Sequence, residues 1–279
     1  VTTFEPDVED KVHFHIEDQV AWITIDNPTK GNAISPGMRD RIRDLVLATN
    51  TRYDARAIVI TAAGEKLFCP GADISVPREW SPRPEWAPEG GQAVGESRRM
   101  MLDGQLTLMP AILDCDLPVI AAVNGTAAGV GAHLALCCDL VIMADHAKFI
   151  EVFVRRGLVP DGLGAWILPR LVGLQKAKEL MFFGDDISAP QALELGLCNK
   201  VVPKEELVPT AAEWAKRLAS GPTRSLSLTK WLLNRSMDVD RATVMHDEAW
   251  AVEINNRTLD AQEGVNSFRE RRDPEWRGF

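Results

Sequence analysis

Residues 118–145 read PVIAAVNGTAAGVGAHLALCCDLVIMAD. Two continuous apolar runs, Val119–Val123 (VIAAV) and Leu140–Ala144 (LVIMA), flank Ala128–Cys138, which has helical length and composition. Unbroken apolar runs of this length mark strands covered on both faces, because a strand with one wet face alternates. Strand, helix and strand in that order imply a mostly parallel sheet with crossover helices. The join is Asn124–Gly131 (NGTAAGVG), with glycines at 125, 129 and 131. Missing side chains let a ligand or another backbone come close. The Val130 N–H falls at or near the first turn of the following helix, where unpaired N–H groups and the positive dipole end favour an anion. Such a turn standing alone is more often a device for packing helix on sheet.

Upstream, Val12–Ile16 and Gln19–Asp26 are rich in β-branched and aromatic residues and predict a hairpin around Glu17–Asp18. Ser35–Thr49 predicts an amphipathic helix capped by Ser35, with Pro36 at its first position. Arg56–Thr61 (RAIVIT) is another buried strand, followed by a turn at Gly64 and then by Phe68–Ile74 (FCPGADI). Gly71 permits a backbone conformation that turns the Ala72 N–H inward. Ser75–Gly91 holds four prolines and two tryptophans and predicts a long irregular loop, either a disordered insertion or a flap over a ligand. Beyond Leu163 the pattern is helical except for a short strand near Lys200–Val202, and Val239–Val265 predicts one long helix. No internal repeat is evident.

The chain has 279 residues, 46% apolar and 25% charged, with a formal net charge of -9. Its length suits one large domain, or one domain with a helical extension. The acidic balance argues against nucleic acid as a partner but not against a phosphorylated small ligand. Five cysteines without CxxC spacing predict reduced thiols, not a disulfide framework or a zinc site. The acidic start, Val1–Asp10, does not resemble a signal peptide, and no apolar stretch is long enough to cross a bilayer. A cytoplasmic protein with no metal is expected.

The segments DNPTKGNAI (26–34), FCPGADIS (68–75), 118–145, GLVPDGLGAWILPRLVG (157–173) and ISAPQALELGLCNKVVP (187–203) together resemble the crotonase (enoyl-CoA hydratase/isomerase) superfamily. The resemblance implies an α/β fold: a crotonase-like spiral core of ββα units over residues 1–200 and a C-terminal helical trimerisation region over 201–279. It implies a homotrimer, or a hexamer made as a dimer of trimers. It implies an acyl-CoA thioester substrate, with coenzyme A as part of that substrate and no separate cofactor. Coenzyme A would lie against Lys30, Asn32 and Ala33 and against Gly71, Ala72, Asp73 and Ile74. The N–H groups of Ala72 and Val130 would form an oxyanion hole for the thioester oxygen, where one donor contributes roughly 3–4 kcal/mol to the transition state.

The acid–base positions depart from the family pattern. Hydratases of the family carry a glutamate three residues after the second oxyanion position, where this chain has His133, and another where this chain has Phe153. Glu151 is two positions out of register and is not counted as a replacement. Asp161, in VPDG (159–162), matches the aspartate that double-bond isomerases of the family use as a base. One carboxylate suffices to carry a proton between two carbons of an enolate. His133, one turn beyond Val130, is a candidate proton donor or acceptor, or a passive residue that hydrogen-bonds a neighbouring loop or lines the pocket. Phe153 and Trp80 are candidate acyl-pocket residues. Lys230 and Phe268 fall where relatives contact coenzyme A from a neighbouring subunit. Arg155 and Arg156 are expected in solvated or inter-subunit salt bridges, or against a ligand carboxylate or the coenzyme phosphates, and Asp185–Asp186 as a cap for the following segment.

Isomerisation with Asp161 as base is the reading these residues favour. A hydratase-like lyase or hydrolase using His133, Asp161 or bound water is the first alternative. A catalytically weak acyl-CoA-binding subunit is the second.

Overall fold

The computed structural model describes residues 8–75, 85–86 and 93–279; most of the expected loop at 75–91, Trp80 included, lies outside the described residues. A short helix α1 (Val8–Lys11) leads into the hairpin β1 (Val12–Glu17) and β2 (Val20–Ile25), whose tight turn puts Asp18 and Gln19 at positive φ. Helix α2 (Pro36–Thr49) starts as expected, with the Ser35 hydroxyl accepting from the Met38 N–H and Pro36 at N1. Strands β3 (Ala57–Ala62) and β4 (Leu67–Cys69) follow, then α3 (Glu96–Asp103) and α4 (Leu108–Leu113). Next come β5 (Val119–Val123), β6 (Thr126–Ala128), α5 (Val130–Leu136), β7 (Leu140–Ala144) and β8 (Lys148–Ile150). A 3-10 turn at Val152–Arg156 separates β8 from α6 (Gly164–Val172) and α7 (Leu174–Phe183). The chain ends with β9 (Asp186–Ser188), α8 (Ala189–Glu194), β10 (Lys200–Val202), α9 (Leu207–Ala219), α10 (Thr223–Ser236), α11 (Arg241–Asn255) and α12 (Leu259–Glu270).

Two sheets result. The larger has the order β1-β2-β3-β5-β7-β10 and is parallel from β2 onward. The smaller has the order β4-β6-β8-β9, with β4, β6 and β8 parallel. The pairs β3/β4, β5/β6 and β7/β8 each place one strand in the large sheet and the next in the small one, so every unit advances both sheets together. This is the expected spiral of ββα units. The large sheet is fully buried along β3 and β5, which is why those runs do not alternate.

Several boundaries differ from expectation. The three-residue strands β4, β6, β8 and β9 are not expected from the sequence, which shows only β10 among strands of that length; three residues are too few to show a period of two. Helix α5 is therefore shorter than Ala128–Cys138. The helix expected over 239–265 is two helices, broken at Asn256–Thr258, where the Thr258 hydroxyl caps α12. Asp186 lies in β9, paired with Lys148 and Arg155, and the cap of α8 is a Ser188–Gln191 box. The division expected at 200/201 falls inside the core, because β10 extends the large sheet and Leu207, Ala211, Ala215 and Ala219 of α9 pack beneath it. Helices α10–α12 form the part outside this core.

Candidate functional site

The two glycine-rich segments meet. A Cβ on Gly131 would lie 2.1 Å from the Cys69 carbonyl oxygen, so the first turn of α5 sits directly on the end of β4. Only a missing side chain allows that approach. Val130 is the first residue of α5, and its N–H has no acceptor within the helix. Ala72 forms an isolated parallel bridge with Ile34. The bonds of that bridge come from its neighbours: Ile34 N–H donates to the Gly71 carbonyl, and Asp73 N–H to the Ile34 carbonyl, each at 2.9 Å. The Ala72 N–H therefore points away from Ile34. Gly71 adopts φ 122°, the positive-φ conformation expected of it.

Behind this pair of segments lies a buried cluster of side chains. His133 is fully buried, and its N–H closes the first turn of α5 on the Gly129 carbonyl at 3.0 Å. Its Nδ1 stands 2.7 Å from the Asp161 carbonyl oxygen. A carbonyl only accepts, so Nδ1–H donates there. Its Nε2 stands 3.1 Å from each carboxylate oxygen of Glu151. The ring stacks on Phe153, with centroids 5.4 Å apart and planes 16° from parallel. Of the roles open to His133, proton carrier or passive residue, the structure favours the second: both ring nitrogens are engaged inside the protein, one of them on the neighbouring loop. Glu151 was set aside on register, yet it joins the cluster. Glu151 and Phe153 are both buried while Val154 is exposed, so a two-residue offset leaves the side chain on the inward side.

Asp161 comes from the turn before α6, with Gly162 at φ 58° and Leu163 at φ 62°. A leucine in the left-handed region is costly and must be held by its surroundings. Asp161 itself is half-buried, and its Oδ1 is buried without a hydrogen-bond partner. Burial pushes its carboxyl above the usual carboxylate range, and the nearby His133 partly offsets this. An unpartnered carboxylate with a raised pKa is suited to taking a proton near neutral pH.

The expected coenzyme A segment splits into two kinds of residue. Asn32, buried and at φ 66°, is an internal lock: its amide donates to the Ala63 and Leu67 carbonyls, and its oxygen accepts from Asn27 N–H. The Ala33 carbonyl accepts from the Asn27 side chain. Lys30 is exposed and donates to Ser75 Oγ at 2.8 Å. Ser75 in turn donates to Asp73, holding that carboxyl below the usual range. Ile74, next to Ser75 in the chain, is an apolar side chain 91% exposed. Lys230 lies within its own chain, donating to Asp139 and to the Ile112 and Leu117 carbonyls, while Phe268 is exposed. Arg155 pairs with Asp186.

A groove of about 590 Å³ lies elsewhere, between strands across the large sheet and α9, bordered by Trp22, Thr61, Asn124, His146 and Lys204. None of the expected site residues lines it. Among the described residues no cluster of His, Cys, Asp and Glu could hold a metal ion, and no helix is long and apolar enough to cross a membrane.

Comparison with known proteins bears on the chain as a whole. The family model described as enoyl-CoA hydratase/isomerase matches residues 15–278. A crotonyl-CoA hydratase from Syntrophomonas wolfei is 36% identical, over 92% of this chain and 94% of its own. A 1,2-epoxyphenylacetyl-CoA isomerase from Escherichia coli is 35% identical, over 95% and 97%. The crystal structure of an enoyl-CoA hydratase from Bacillus anthracis superposes with a TM-score of 0.85 at 30% identity, covering 96% of this chain and all of that one.

Proposed function

The chain belongs to the enoyl-CoA hydratase/isomerase family, and we propose that it shifts the double bond of an enoyl-CoA thioester with Asp161 as base. Coenzyme A enters as part of the substrate, along the Lys30–Ala33 and Gly71–Ile74 segments. The thioester oxygen accepts from the Ala72 and Val130 N–H groups. Asp161 removes a proton from the carbon next to the carbonyl of a 3-enoyl thioester. The electron pair of that C–H bond moves into the adjacent carbonyl and onto its oxygen, giving a dienolate conjugated with the remaining double bond, and the two N–H donors stabilise that charge. Asp161 then returns the proton to the far end of the dienolate, which gives the 2-enoyl thioester.

The observation that carries this reading is the Asp161 carboxyl, with one buried oxygen unpartnered, set beside a His133 and a Phe153 that occupy the two hydratase positions. Isomerisation needs one proton carrier, whereas hydration must also activate water. The test is incubation of the protein with 3-enoyl and 2-enoyl thioesters in ¹⁸O-labelled water. A shifted double bond without label is expected. Label in a hydroxyacyl product without a shift would overturn the reading. Hydration is the second reading, favoured by the crotonyl-CoA hydratase among the relatives.

Assembly follows from the C-terminal helices. Trp231, Leu233, Trp250, Ile254 and Phe268 are all large, apolar and exposed on α10–α12. Apolar surface of this extent fits burial against other copies of the chain, and we propose a homotrimer or a dimer of trimers. The five cysteines are buried and free, which fits a reducing compartment such as the cytoplasm.

A further inference from the structure

The structure engages two buried polar side chains, Glu151 and His133, beside the base without exposing either to a ligand. We propose that they form a positioning pair for Asp161: His133 ties down its main chain, and Glu151 keeps His133 in the charged, doubly donating form. This rests on the reading of Asp161 as base and deepens it.

The proton count carries the argument. The Asp161 carbonyl demands a proton on Nδ1, at 2.7 Å. A neutral ring would then turn a bare Nε2 lone pair toward two carboxylate oxygens, each at 3.1 Å. Two acceptors facing each other repel, so a further proton sits between them. A carboxylic acid donating to a neutral Nε2 would fill the same contact; imidazolium against carboxylate is the form proposed here, because both ring N–H groups then donate and the cation faces Asp161 as well. Both partners are almost completely enclosed, with side-chain exposures of 0% and 4%, so water does not screen the pair.

The anchoring is mechanical as well. The Asp161 carbonyl accepts from His133 and also from the Gly164 N–H at 3.1 Å. Those two bonds hold the strained turn through Gly162 and Leu163. Phe153 stacks on the ring from one side. A Cβ on Gly164 would stand 2.0 Å from His133 Cε1, so α6 presses on the ring directly. The imidazole has no room to rotate. Glu151, from the segment after β8, and Asp161, from the turn before α6, are the titratable groups set against it. Phe153, Gly162 and Gly164 lie against the ring without charge. The fixed cation next to Asp161 favours its carboxylate, the form that accepts a proton.

The test uses Glu151→Gln, Glu151→Ala and Asp161→Asn in the full-length protein. Glu151→Gln keeps the shape and can donate an amide N–H to a neutral Nε2, so it removes charge and leaves the anchor. Its acidic limb in the kcat/KM profile is expected to move to higher pH, with KM for the thioester unchanged. Glu151→Ala removes the anchor too, and kcat is expected to fall by about 100-fold at constant KM, the cost of a misplaced reacting group. Nitrogen NMR of His133 is expected to read imidazolium in the unaltered protein and the neutral Nδ1–H form in Glu151→Gln, whatever the reaction. A neutral ring in the unaltered protein, or an acidic limb unmoved in Glu151→Gln, overturns the proposal, and the isosteric variant serves if the alanine fails to fold. An active Asp161→Asn sinks the underlying reading instead. An inactive one with unaltered Glu151→Gln kinetics sinks the pair alone.

Discussion

Asp161 carries one side-chain oxygen that is buried and has no partner. Charging such a group costs free energy, and its pKa rises for that reason. A carboxyl whose folded pKa lies above its unfolded value binds a proton more readily in the folded chain. The stability this provides is complete below the unfolded pKa and is lost as pH rises through the folded one. At neutral pH the charged Asp161 therefore opposes folding. Asp161→Asn is expected to lower isomerase turnover by roughly 10²–10⁴-fold, the usual contribution of a positioned base, while its Tm at pH 7 equals or exceeds that of the unaltered protein. Calorimetry from pH 4 to 7 is expected to show the advantage of Asp161→Asn growing with pH. A variant that loses activity and stability together would mean that Asp161 is structural.

At the scale of elements, the site depends on how closely α5 sits on β4. The Cβ of Gly131→Ala would meet backbone, the Cys69 carbonyl at 2.1 Å, which cannot yield as a flexible side chain would. We expect the two segments to part, with a loss of about 1–3 kcal/mol of stability from overpacking. Separation of the Ala72 and Val130 N–H groups is expected to cost about 10²–10³-fold in kcat; chemical denaturation and kinetics on the same sample check both effects. The Lys30–Ala33 segment depends on Asn32 in a different way. Asn32→Ala leaves the Ala63 and Leu67 carbonyls and the Asn27 N–H without their partner. The expected loss is about 1–3 kcal/mol in urea denaturation, with a higher KM for the thioester as the segment loosens. The buried strands β3, β5 and β7 were legible as unbroken apolar runs and α2 from its period, while α3 and α4 were not expected. The pairing of β4, β6 and β8 was not, because segments of three residues carry no pattern.

At the scale of the whole molecule, the spiral closes through α9, and α10–α12 extend from it with apolar residues uncovered. Trp250, on α11, is 66% exposed. Trp250→Glu is expected to shift the protein from trimer toward monomer in analytical ultracentrifugation, because a charge in a closed apolar contact is left without water. A monomeric unaltered protein would sink the assembly proposed here. Lys230 holds α10 to the core by its bonds to Asp139 and two carbonyls. That leaves its ammonium committed within the chain, although the sequence put it in the region of coenzyme A contacts.

The backbone parts of the site were legible in the sequence. Glycines at 71, 129 and 131 announce their conformations locally, and β-branched runs announce buried strands, because both signals arise within a few residues of chain. The local sequence therefore pointed to the backbone at Ala72 and Val130, whereas Asp161 was singled out by the resemblance to the family. The proton chemistry around them was decided only by tertiary packing. Glu151 and His133 are 18 residues apart, and His133 and Asp161 are 28 apart. Which way each side chain turns depends on the twist of the intervening strand and on the room left by Gly164. A linear register cannot encode that, so His133 turned inward to a partner that sequence reasoning had set aside.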